Sequence, residues 1–321
     1  MEVGVFTVIL SAMPLEPALD YLAGLGVKRV EIGTGAYPGT RHCDPDALLE
    51  SDFKARDFSN AIRSRGMEIS CLSVHGNPIH PNKQIAAQHD ADFKRCVRLA
   101  EKLEVEVVAT FSGCPGGSPE DRQPNWVTCP WPPEYLDILD YQWKDVVIPY
   151  WVKTTEFART HGIRKIALEM HPGFVVYNPE TLLKLRRAAG DEIGANFDPS
   201  HLIWQGIEPC AAVRALQGAI WHVHAKDTNI QLWNSNINGV LDTKHYGDEI
   251  NRSWLFRTVG YGSSRQFWCD FVSALRMIGY DHALSIEHED SLMSASEGLE
   301  KAIHFLQEIV LQDPKGAVTW A

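Results

Sequence analysis

The sequence lacks the features that mark several large classes of protein. Its formal net charge is −11, with 30 lysines and arginines against 41 aspartates and glutamates, so it has no excess of basic residues for tracking phosphates. No apolar run approaches the roughly 20 residues of a membrane span. The N-terminal MEVGVF has no basic region ahead of its apolar residues, which argues against a signal peptide. We therefore expect neither nucleic acids nor membranes among its partners.

Cysteine spacing also excludes one kind of site. The seven cysteines are scattered, odd in number and never spaced as C-x-x-C; they lie at positions 43, 71, 96, 114, 129, 210 and 269. Disulfide frameworks belong mainly to oxidising compartments and show an even, patterned cysteine count. We therefore predict unpaired thiols in a cytoplasmic protein.

What the sequence does contain is an alternation of strand-like and helix-like segments. The strand-like runs are Val3–Leu10, Val30–Ile32, Glu68–Val74, Val105–Phe111, Lys165–Glu169, Ile193–Asp198, Ala219–His224 and Ala283–Glu287. The helix-like stretches between them are Pro14–Leu25, Pro45–Ser64, Ala86–Leu103, Trp143–His161, Pro179–Ala189, Pro209–Leu216, Gln266–Ile278 and Ala295–Leu311. Such alternation implies parallel strands, because each crossover returns the chain to the same end of the sheet.

Eight strand–helix units in 321 residues favour an α/β fold of the (β/α)₈ TIM-barrel type. The alternative, a doubly wound Rossmann sheet, would place a G-x-G-x-x-G turn after the first strand, and Leu10-Ser-Ala-Met has none. Two long interruptions follow strands four and seven, at 112–142 and 228–264; the first is so rich in proline that we expect no regular structure there. We predict a single domain over residues 1–321.

Four later strand-like runs each end in a residue that can bind a metal. These residues are Glu169, Asp198, His224 and Glu287, and each is followed at once by polar, loop-like sequence. In a TIM barrel the C-terminal strand ends and the loops after them supply the active site, so these side chains would converge. One such carboxylate could instead be a helix cap, but four on consecutive strands favour a metal centre, since unpaired buried carboxylates are costly.

Three carboxylates and one imidazole indicate which ions suit the site. Oxygen-rich ligation favours Mn²⁺, then Mg²⁺ or Co²⁺, while the lack of cysteine ligands counts against Zn²⁺. His222 shares the inward face with His224 but lies two residues deeper, so we prefer His224 as the ligand. After this ligand come Lys226 and Asp227, which we interpret as second-layer groups or a solvated pair.

These stretches resemble the xylose-isomerase-like sugar isomerase/epimerase superfamily of metal-dependent TIM barrels, over nearly the whole chain. The most specific parts are Leu168-Glu-Met-His-Pro172, Phe197-Asp-Pro-Ser-His201, His222-Val-His-Ala-Lys-Asp227 and Ser285-Ile-Glu-His-Glu-Asp290. The resemblance implies that Glu169, Asp198, His224 and Glu287 bind one divalent cation. It also implies that Glu169 and Glu287 form an acid/base pair, as in ketose 3-epimerases, and that His201 contacts substrate.

The loops depart from that family's pattern. The stretch after Asp227 is much longer than in compact epimerases, and the arginine usual there is missing; we predict that Arg257 replaces it. Family members include sugar epimerases, inosose dehydratase, hydroxypyruvate isomerase and the large subunit of enzymes that cleave 3-oxo C-glycosides. The resemblance therefore implies a sugar enzyme without fixing its reaction.

Other residues are weaker candidates for the pocket. Strand alternation aims His171, two residues past Glu169, into the same mouth, where it could be a base, a substrate contact or only a loop histidine. His75 and Asn77 share a face at the end of strand three and could bind substrate. Among the tryptophans that flank the first long loop, Trp126 could stack on a sugar or simply pack the loop onto the barrel.

The chemistry of such a site is proton abstraction beside a keto group. A metal that binds a carbonyl and the adjacent hydroxyl eases loss of the α-proton, which a carboxylate or imidazole removes. Return of the proton gives an epimer or isomer, and loss of a β-leaving group gives a lyase. The enlarged loops, the aromatic residues and the lack of basic residues favour a neutral sugar or keto-glycoside over a phosphorylated one.

Two further predictions concern the assembly of the chain and an alternative function. The insertions bring tryptophan, proline and tyrosine to the surface, so we expect an oligomer, either of this chain alone or with a small accessory subunit. The alternative function is a catalytically silent barrel that binds a ligand or partner, against which the intact set of four ligands argues.

Overall fold

The computed structural model describes residues 1–318 and shows a closed barrel of eight parallel strands, as predicted. Residues 319–321 of the predicted domain lie outside this described part. In chain order the strands are β1 (Glu2–Phe6), β2 (Arg29–Gly33), β3 (Glu68–Ser73), β4 (Val107–Phe111), β5 (Lys165–Glu169), β6 (Ile193–Phe197), β7 (Ile220–Ala225), β8 (Asp227–Ile230), β9 (Trp254–Arg257) and β10 (Ala283–Ile286). Strands β1 to β7 pair in sequence order, and β10 closes the barrel between β7 and β1. Thus all four predicted ligands lie at one end of the barrel.

Helices surround the barrel between successive strands. They are α1 (Leu15–Gly24), α2 (Pro45–Glu50), α3 (Asp52–Arg63), α4 (Lys83–Leu103), α5 (Glu134–Tyr141), α6 (Ile148–Thr160), α7 (Pro179–Ala189), α8 (Pro199–Trp204), α9 (Pro209–Ala215), α10 (Leu232–Asn238), α11 (Arg265–Met277) and α12 (Ala295–Ile309). The predicted helix over 45–64 is two helices, because Ser51 is extended there and caps α3 through a hydrogen bond from Lys54 N. Gly66 (φ 70°), in the turn after α3, adopts the left-handed conformation that glycine tolerates best.

Strand register fixes the depth of the ligands in the barrel. Strands β5 and β6 are parallel with Glu169 opposite Asn196, which brings the ends of both strands to the same height. Every residue of β6 is buried, as expected for a strand covered on both faces. The predicted ligands therefore stand above a packed interior.

The first long interruption is more regular than expected. Residues 134–141 form α5, a π-helical turn spans Gln142–Val147, and α6 continues the same helical run to Thr160. The prediction of no regular structure up to residue 142 is therefore wrong. The prolines end at Pro133, directly before the first helical residue, where a proline costs little.

The second interruption also contains regular structure. Strands β8 and β9 form an antiparallel pair outside the barrel, with Asp227 opposite Arg257, and α10 lies between them in sequence. Trp204, Trp254 and Phe256 pack together beneath this pair as a small cluster of their own. The sequence between these two strands is polar, so the sequence analysis did not predict that they would pair.

Two other features bear on the sequence-based expectations. The seven cysteines are all free thiols, as predicted. Within residues 1–318, no helix combines the length and apolar character that crossing a bilayer would require.

Candidate active site

The four predicted ligands meet at the C-terminal end of the barrel. Ligand atoms of Glu169, Asp198, His224 and Glu287 all lie within 4.8 Å of one another. The strands impose this convergence: Glu169 ends β5, Asp198 directly follows β6, His224 lies near the end of β7, and Glu287 directly follows β10. Three of the residues are buried, and the Glu287 side chain is 19% exposed.

A deeper layer orients His224. Its Nε2 lies 3.1 Å from Glu31 Oε1, while its Nδ1 faces the cluster, 3.4 Å from Glu169 Oε2 and 3.2 Å from Glu287 Oε2. Glu31 is itself held by the hydroxyls of Ser73 and Ser285. A carboxylate behind a ligating imidazole is a common support in metal sites, because it fixes the ring's tautomer and orientation. The structure thus places Nδ1 of His224 in the quartet.

His222 lies below this layer. Its Nδ1 is 3.0 Å from Asn196 Oδ1, and its Nε2 is 3.9 Å from Glu31 Oε2. It therefore belongs to a group with Glu31 and His224 rather than to the quartet.

The donor set fits a divalent cation. Asp198 Oδ2 and His224 Nδ1 are buried and make no hydrogen bond within the described residues. Buried polar atoms of native proteins are normally satisfied, so two unsatisfied ligand atoms in one cluster call for a partner. Three carboxylates at this spacing repel one another, and the one ammonium among them, Lys226, does not balance their charge. The residues that would hold the ion are therefore Glu169, Asp198, His224 and Glu287.

The pKa shifts of Asp198 and Glu169 reflect how closely the buried charged groups lie in the cluster. Burial raises the pKa of Asp198 to about 7, because the favourable Lys226 charge does not offset desolvation together with Glu169 and Glu287. Burial of Glu169 opposes its ionisation, but the hydrogen bond from His201 and the close His75 and His224 rings outweigh burial and hold the pKa of Glu169 well below its usual value. The crowding therefore disfavours the ionised form of Asp198, and a divalent ion bound to these carboxylates would favour that form.

Two predicted substrate contacts lie against Glu169 instead. His201 Nε2 is hydrogen-bonded to Glu169 Oε1 at 3.0 Å and lies 3.4 Å from Asp198 Oδ2. His75 Nε2 is 3.0 Å from Glu169 Oε2, although this contact does not have the alignment of a hydrogen bond. Both rings are buried, so their clearest role is to orient the Glu169 carboxylate.

His171 borders a cavity at the mouth. The cavity has a volume of about 430 Å³ and is lined by His171, Tyr246, Leu255, Phe256, Glu289 and Ser291. Nδ1 of His171 lies 2.6 Å from the Pro172 carbonyl oxygen, which can only accept, so Nδ1 carries the proton. Burial lowers the pKa of His171, so the ring is neutral near pH 7 and Nε2 holds a free lone pair. His171 is thus equipped to act as a base.

The remaining predicted contacts lie elsewhere. The side-chain amide of Asn77 donates a hydrogen bond to the Cys114 carbonyl and accepts one from the Cys114 N–H. It therefore fixes the loop after β4. Arg257 Nε donates to Asp290 Oδ2 at 3.0 Å, which ties β9 to the loop after β10. Trp126 packs edge-on against Tyr177. These contacts give Asn77 and Arg257 structural partners within the protein, and their roles in substrate binding remain predictions.

Lys226 and Asp227, for which the sequence left a solvated pair as one alternative, are both buried. Lys226 is almost fully buried, with its Nζ 3.1 Å from Asp198, 2.6 Å from Glu287 and 2.9 Å from Glu289. Asp227 is buried too, which excludes the solvated pair and leaves the other predicted alternative, second-layer groups. Strand alternation could have found Lys226, because it lies two residues after His224 and faces the same way.

A family model and a relative each match this chain over most of its length. The family described as "Xylose isomerase-like TIM barrel" matches residues 19–309. The protein YfiH of Bacillus subtilis (strain 168) is 41% identical over 314 residues, which cover 97% of this chain and 100% of that protein.

Solved structures show the same fold at lower identity. A probable 3-DHS dehydratase, AsbF, from Bacillus anthracis has a TM-score of 0.65 at 15% identity, covering 96% of this chain and 99% of that one. A D-tagatose 3-epimerase-like protein has a TM-score of 0.63 at 22% identity, covering 96% and 98%. The IOLI protein, described with a bound zinc atom, has a TM-score of 0.64 at 18% identity, covering 97% and 98%.

Proposed function

Because this chain belongs to the xylose isomerase-like TIM barrel family, we propose that it is a divalent-metal-dependent enzyme acting on a sugar or keto-glycoside. The reaction would begin with removal of the proton next to the substrate's keto group. The observation that carries this proposal is the convergence of four ligand atoms, from Glu169, Asp198, His224 and Glu287, within 4.8 Å beside a mouth cavity.

The quartet would hold Mn²⁺ in preference to Mg²⁺ or Co²⁺. Three carboxylates and one imidazole provide mostly oxygen ligands, which these ions favour. When bound, such an ion supplies Lewis-acid polarisation of a substrate keto group. The structure of IOLI with zinc shows that a barrel of this fold can also carry that metal, so the ion must be identified by measurement.

His171 is the residue best placed to remove the proton. It borders the cavity, and its Nδ1 is committed to the Pro172 carbonyl, which leaves Nε2 free to accept. Glu169 is a weaker base here, since both of its oxygens face histidines and its pKa is lowered. Glu287 is the second proposed acid/base group; it would have to take up a proton from solvent before delivering one to the substrate's other face.

The fate of the carbanion decides the reaction class. Return of the proton to the same carbon from the opposite face gives an epimer, and return to the neighbouring carbon gives an isomer. Expulsion of a group β to the carbonyl gives a lyase, as in cleavage of a 3-oxo C-glycoside. Neighbours of this fold are named as an epimerase-like protein and as a probable dehydratase, which supports keeping both outcomes.

The walls of the cavity favour a substrate with an apolar portion. Tyr246, Leu255 and Phe256 line one side, and all three come from the insertion that follows β7. The ionisable groups among its lining residues are His171, Tyr246 and Glu289, and none of them offers a fixed positive charge to a phosphate. A neutral keto sugar carrying an aglycone fits this lining.

Deuterium exchange tests the proposal. The Mn²⁺-loaded protein is incubated in D₂O with 3-keto glycosides and, separately, with free ketoses. Exchange with release of the aglycone supports the lyase, and exchange in an otherwise intact sugar supports the epimerase or isomerase. No exchange with any keto sugar refutes the enzymatic proposal and favours a barrel that binds a ligand or partner.

His171→Asn makes the test specific to the proposed base. We expect this variant to lower exchange by about 10²–10⁴-fold, the usual contribution of general-base catalysis. His304→Asn, at an exposed position on α12, is the matched control and should exchange like the wild type.

A further inference from the structure

The cluster contains a cation of its own. Lys226 follows β7, and its Nζ lies 2.6 Å from Glu287 Oε2 and 3.1 Å from Asp198 Oδ2, so it contacts two of the four proposed ligands. Its side chain is only 2% exposed. An ammonium group buried this deeply is strongly unfavourable unless it is paired, and here the partners are the same oxygens that would bind the metal.

A third carboxylate holds the outer side of the ammonium. Glu289 Oε2 lies 2.9 Å from Lys226 Nζ, and the Glu289 side chain is 50% exposed and lines the mouth cavity. Glu289 is two residues beyond Glu287, so both reach the same lysine from the loop after β10. The ring of Phe256 lies 4.7 Å from Nζ and covers the ammonium with a further attractive contact.

We propose that Lys226 is a tethered counter-cation that competes with the divalent ion for Asp198 and Glu287, and that Glu289 holds the lysine when the metal is bound. This inference rests on the proposed metal site but concerns its affinity, not the reaction. Without metal, the ammonium keeps the acidic cluster assembled. When a divalent ion binds, Lys226 gives up its contacts with the two ligands and keeps the one with Glu289.

The charges of the site make this competition physically reasonable. Three carboxylates contact the one ammonium and Glu169 belongs to the same cluster, so the cluster remains acidic enough to attract a divalent ion. A positive charge a few ångströms from that ion opposes its binding, and the opposition is large because the site is buried. The protein would therefore bind its metal less tightly than the four ligands alone would allow.

Titration with Mn²⁺ alone, by calorimetry or by competition with a chelator, tests the proposal without any substrate. Lys226→Met should tighten Mn²⁺ binding by about tenfold or more, because an opposing charge is removed. The same variant should melt at a lower temperature than the wild type in chelator, since the carboxylates lose their counter-charge. Lys94→Met removes a lysine from a surface ion pair with Asp90 and should change neither property.

Glu289→Gln provides an independent variant at a half-exposed position that should fold. It should weaken Mn²⁺ binding severalfold, because Lys226 then stays on the ligands. In a Lys226→Met background the same change should have little further effect, since sites that act through each other are not additive. An equal weakening in both backgrounds would mean that Glu289 acts by its own charge, which overturns its proposed role.

The outcomes separate this inference from the proposed function. If the wild type binds Mn²⁺ and Lys226→Met binds it no more tightly, the counter-cation role is wrong while the metal site stands. If neither protein binds Mn²⁺, both proposals fail. If Lys226→Met is unstable without metal, it can be purified in Mn²⁺ and its affinity measured by chelator competition, where weaker retention than in the wild type contradicts the inference.

Discussion

Single residues decide whether the four ligands can act together. Glu31 lies behind His224, and His201 and His75 lie against Glu169, so neighbouring side chains orient two of the four proposed ligands. Such supports are worth roughly 10–100-fold in metal affinity when they are lost, and a direct ligand should be worth no less. The site therefore depends on ligands and supports together.

Replacement of Glu287 by glutamine tests one ligand directly. Glu287→Gln should weaken Mn²⁺ binding by at least about 10–100-fold, because a charged oxygen ligand becomes neutral. It should also lower exchange of substrate protons, since Glu287 is one of the proposed acid/base groups. The measurement is Mn²⁺ titration together with the D₂O assay.

Glu50→Gln, at an exposed position on α2, controls for loss of a carboxylate elsewhere. Wild-type affinity and wild-type exchange in Glu287→Gln would remove Glu287 from both roles.

At this scale the sequence predicted the convergence of the four proposed ligands better than their surroundings. Glu169, Asp198, His224 and Glu287 were readable because each ends a strand and a barrel brings strand ends together. The contacts of Asn77 and Arg257 were not predicted, because their partners, Cys114 and Asp290, come from other loops. The position of a residue along a strand predicts which way its side chain points. It does not predict which loop will supply the hydrogen-bond partner of that side chain.

At the scale of elements, Asp227 joins the second insertion to the barrel. Its Oδ2 accepts hydrogen bonds from the backbone N–H groups of Gly260, Gly262 and Ser263 and from the Trp268 indole, at 2.9–3.2 Å. A Cβ added at Gly262 would lie 2.5 Å from the Thr228 backbone, so the close approach requires glycine. This carboxylate thus fastens the loop before α11 against the start of β8.

Asp227→Asn should therefore destabilise the protein. The amide cannot accept all of these hydrogen bonds and brings buried N–H donors of its own, so we expect the free energy of unfolding to fall by about 2–4 kcal/mol. Denaturant unfolding of the variant measures the loss. Asp191→Asn, at a side chain that is 94% exposed, is the control, and an equally small change in both variants would contradict the account.

A second element-scale prediction concerns acid. Hydrogen bonds from Arg159 lower the pKa of Glu192, beside the start of β6, from 4.5 to about 2. The folded pKa is the lower one, so this pair stabilises the fold above about pH 4.5, and the contribution disappears as pH falls toward 2. After allowance for the partly exposed Arg159, we expect roughly 1–2 kcal/mol.

Glu192→Gln should remove that part of the pH dependence. Its unfolding free energy should be lower than the wild type's at pH 7, and the difference should shrink as pH falls below 4.5. Glu180→Gln, at an exposed position at the start of α7, serves as the control. A constant difference from pH 7 to pH 3 would show that the shifted carboxyl does not act as described.

The insertions were the elements least visible in the sequence. Strands β8 and β9 pair across the whole of α10 and the loop after it, and polar sequence in between gave no periodic pattern. Helix α5 begins only where the prolines stop, at Glu134. Local composition indicated loops there, whereas packing and long-range strand pairing give both stretches regular structure.

At the scale of the whole molecule, the barrel was predictable because its pattern repeats. Eight alternations of strand and helix leave few other topologies, and the observed closure between β1 and β10 follows from them. The repeating pattern does not predict the surface of the second insertion. Four large apolar side chains there are more than 60% exposed: Leu232, Trp233, Ile237 and Ile250. Apolar surface of this extent often marks an interface.

We therefore still expect the chain to assemble, with a second copy or with a small accessory subunit. Light scattering should give a mass above the 36.0 kDa of one chain, and Trp233→Ser should shift the mass toward the monomer. Phe53→Ser, at an equally exposed position on α3, should not. A mass near 36.0 kDa, with no partner recovered from the source, would contradict this expectation.

The central claim is that four strand ends form one divalent-metal site. Elemental analysis of the purified wild type, beside Asp198→Asn and the exposed-site control Asp191→Asn, tests it most directly. The account predicts about one Mn²⁺-like ion per chain in the wild type and the control, and substantially less in Asp198→Asn. An equal metal content in all three proteins, or none in the wild type even after incubation with Mn²⁺, would contradict it.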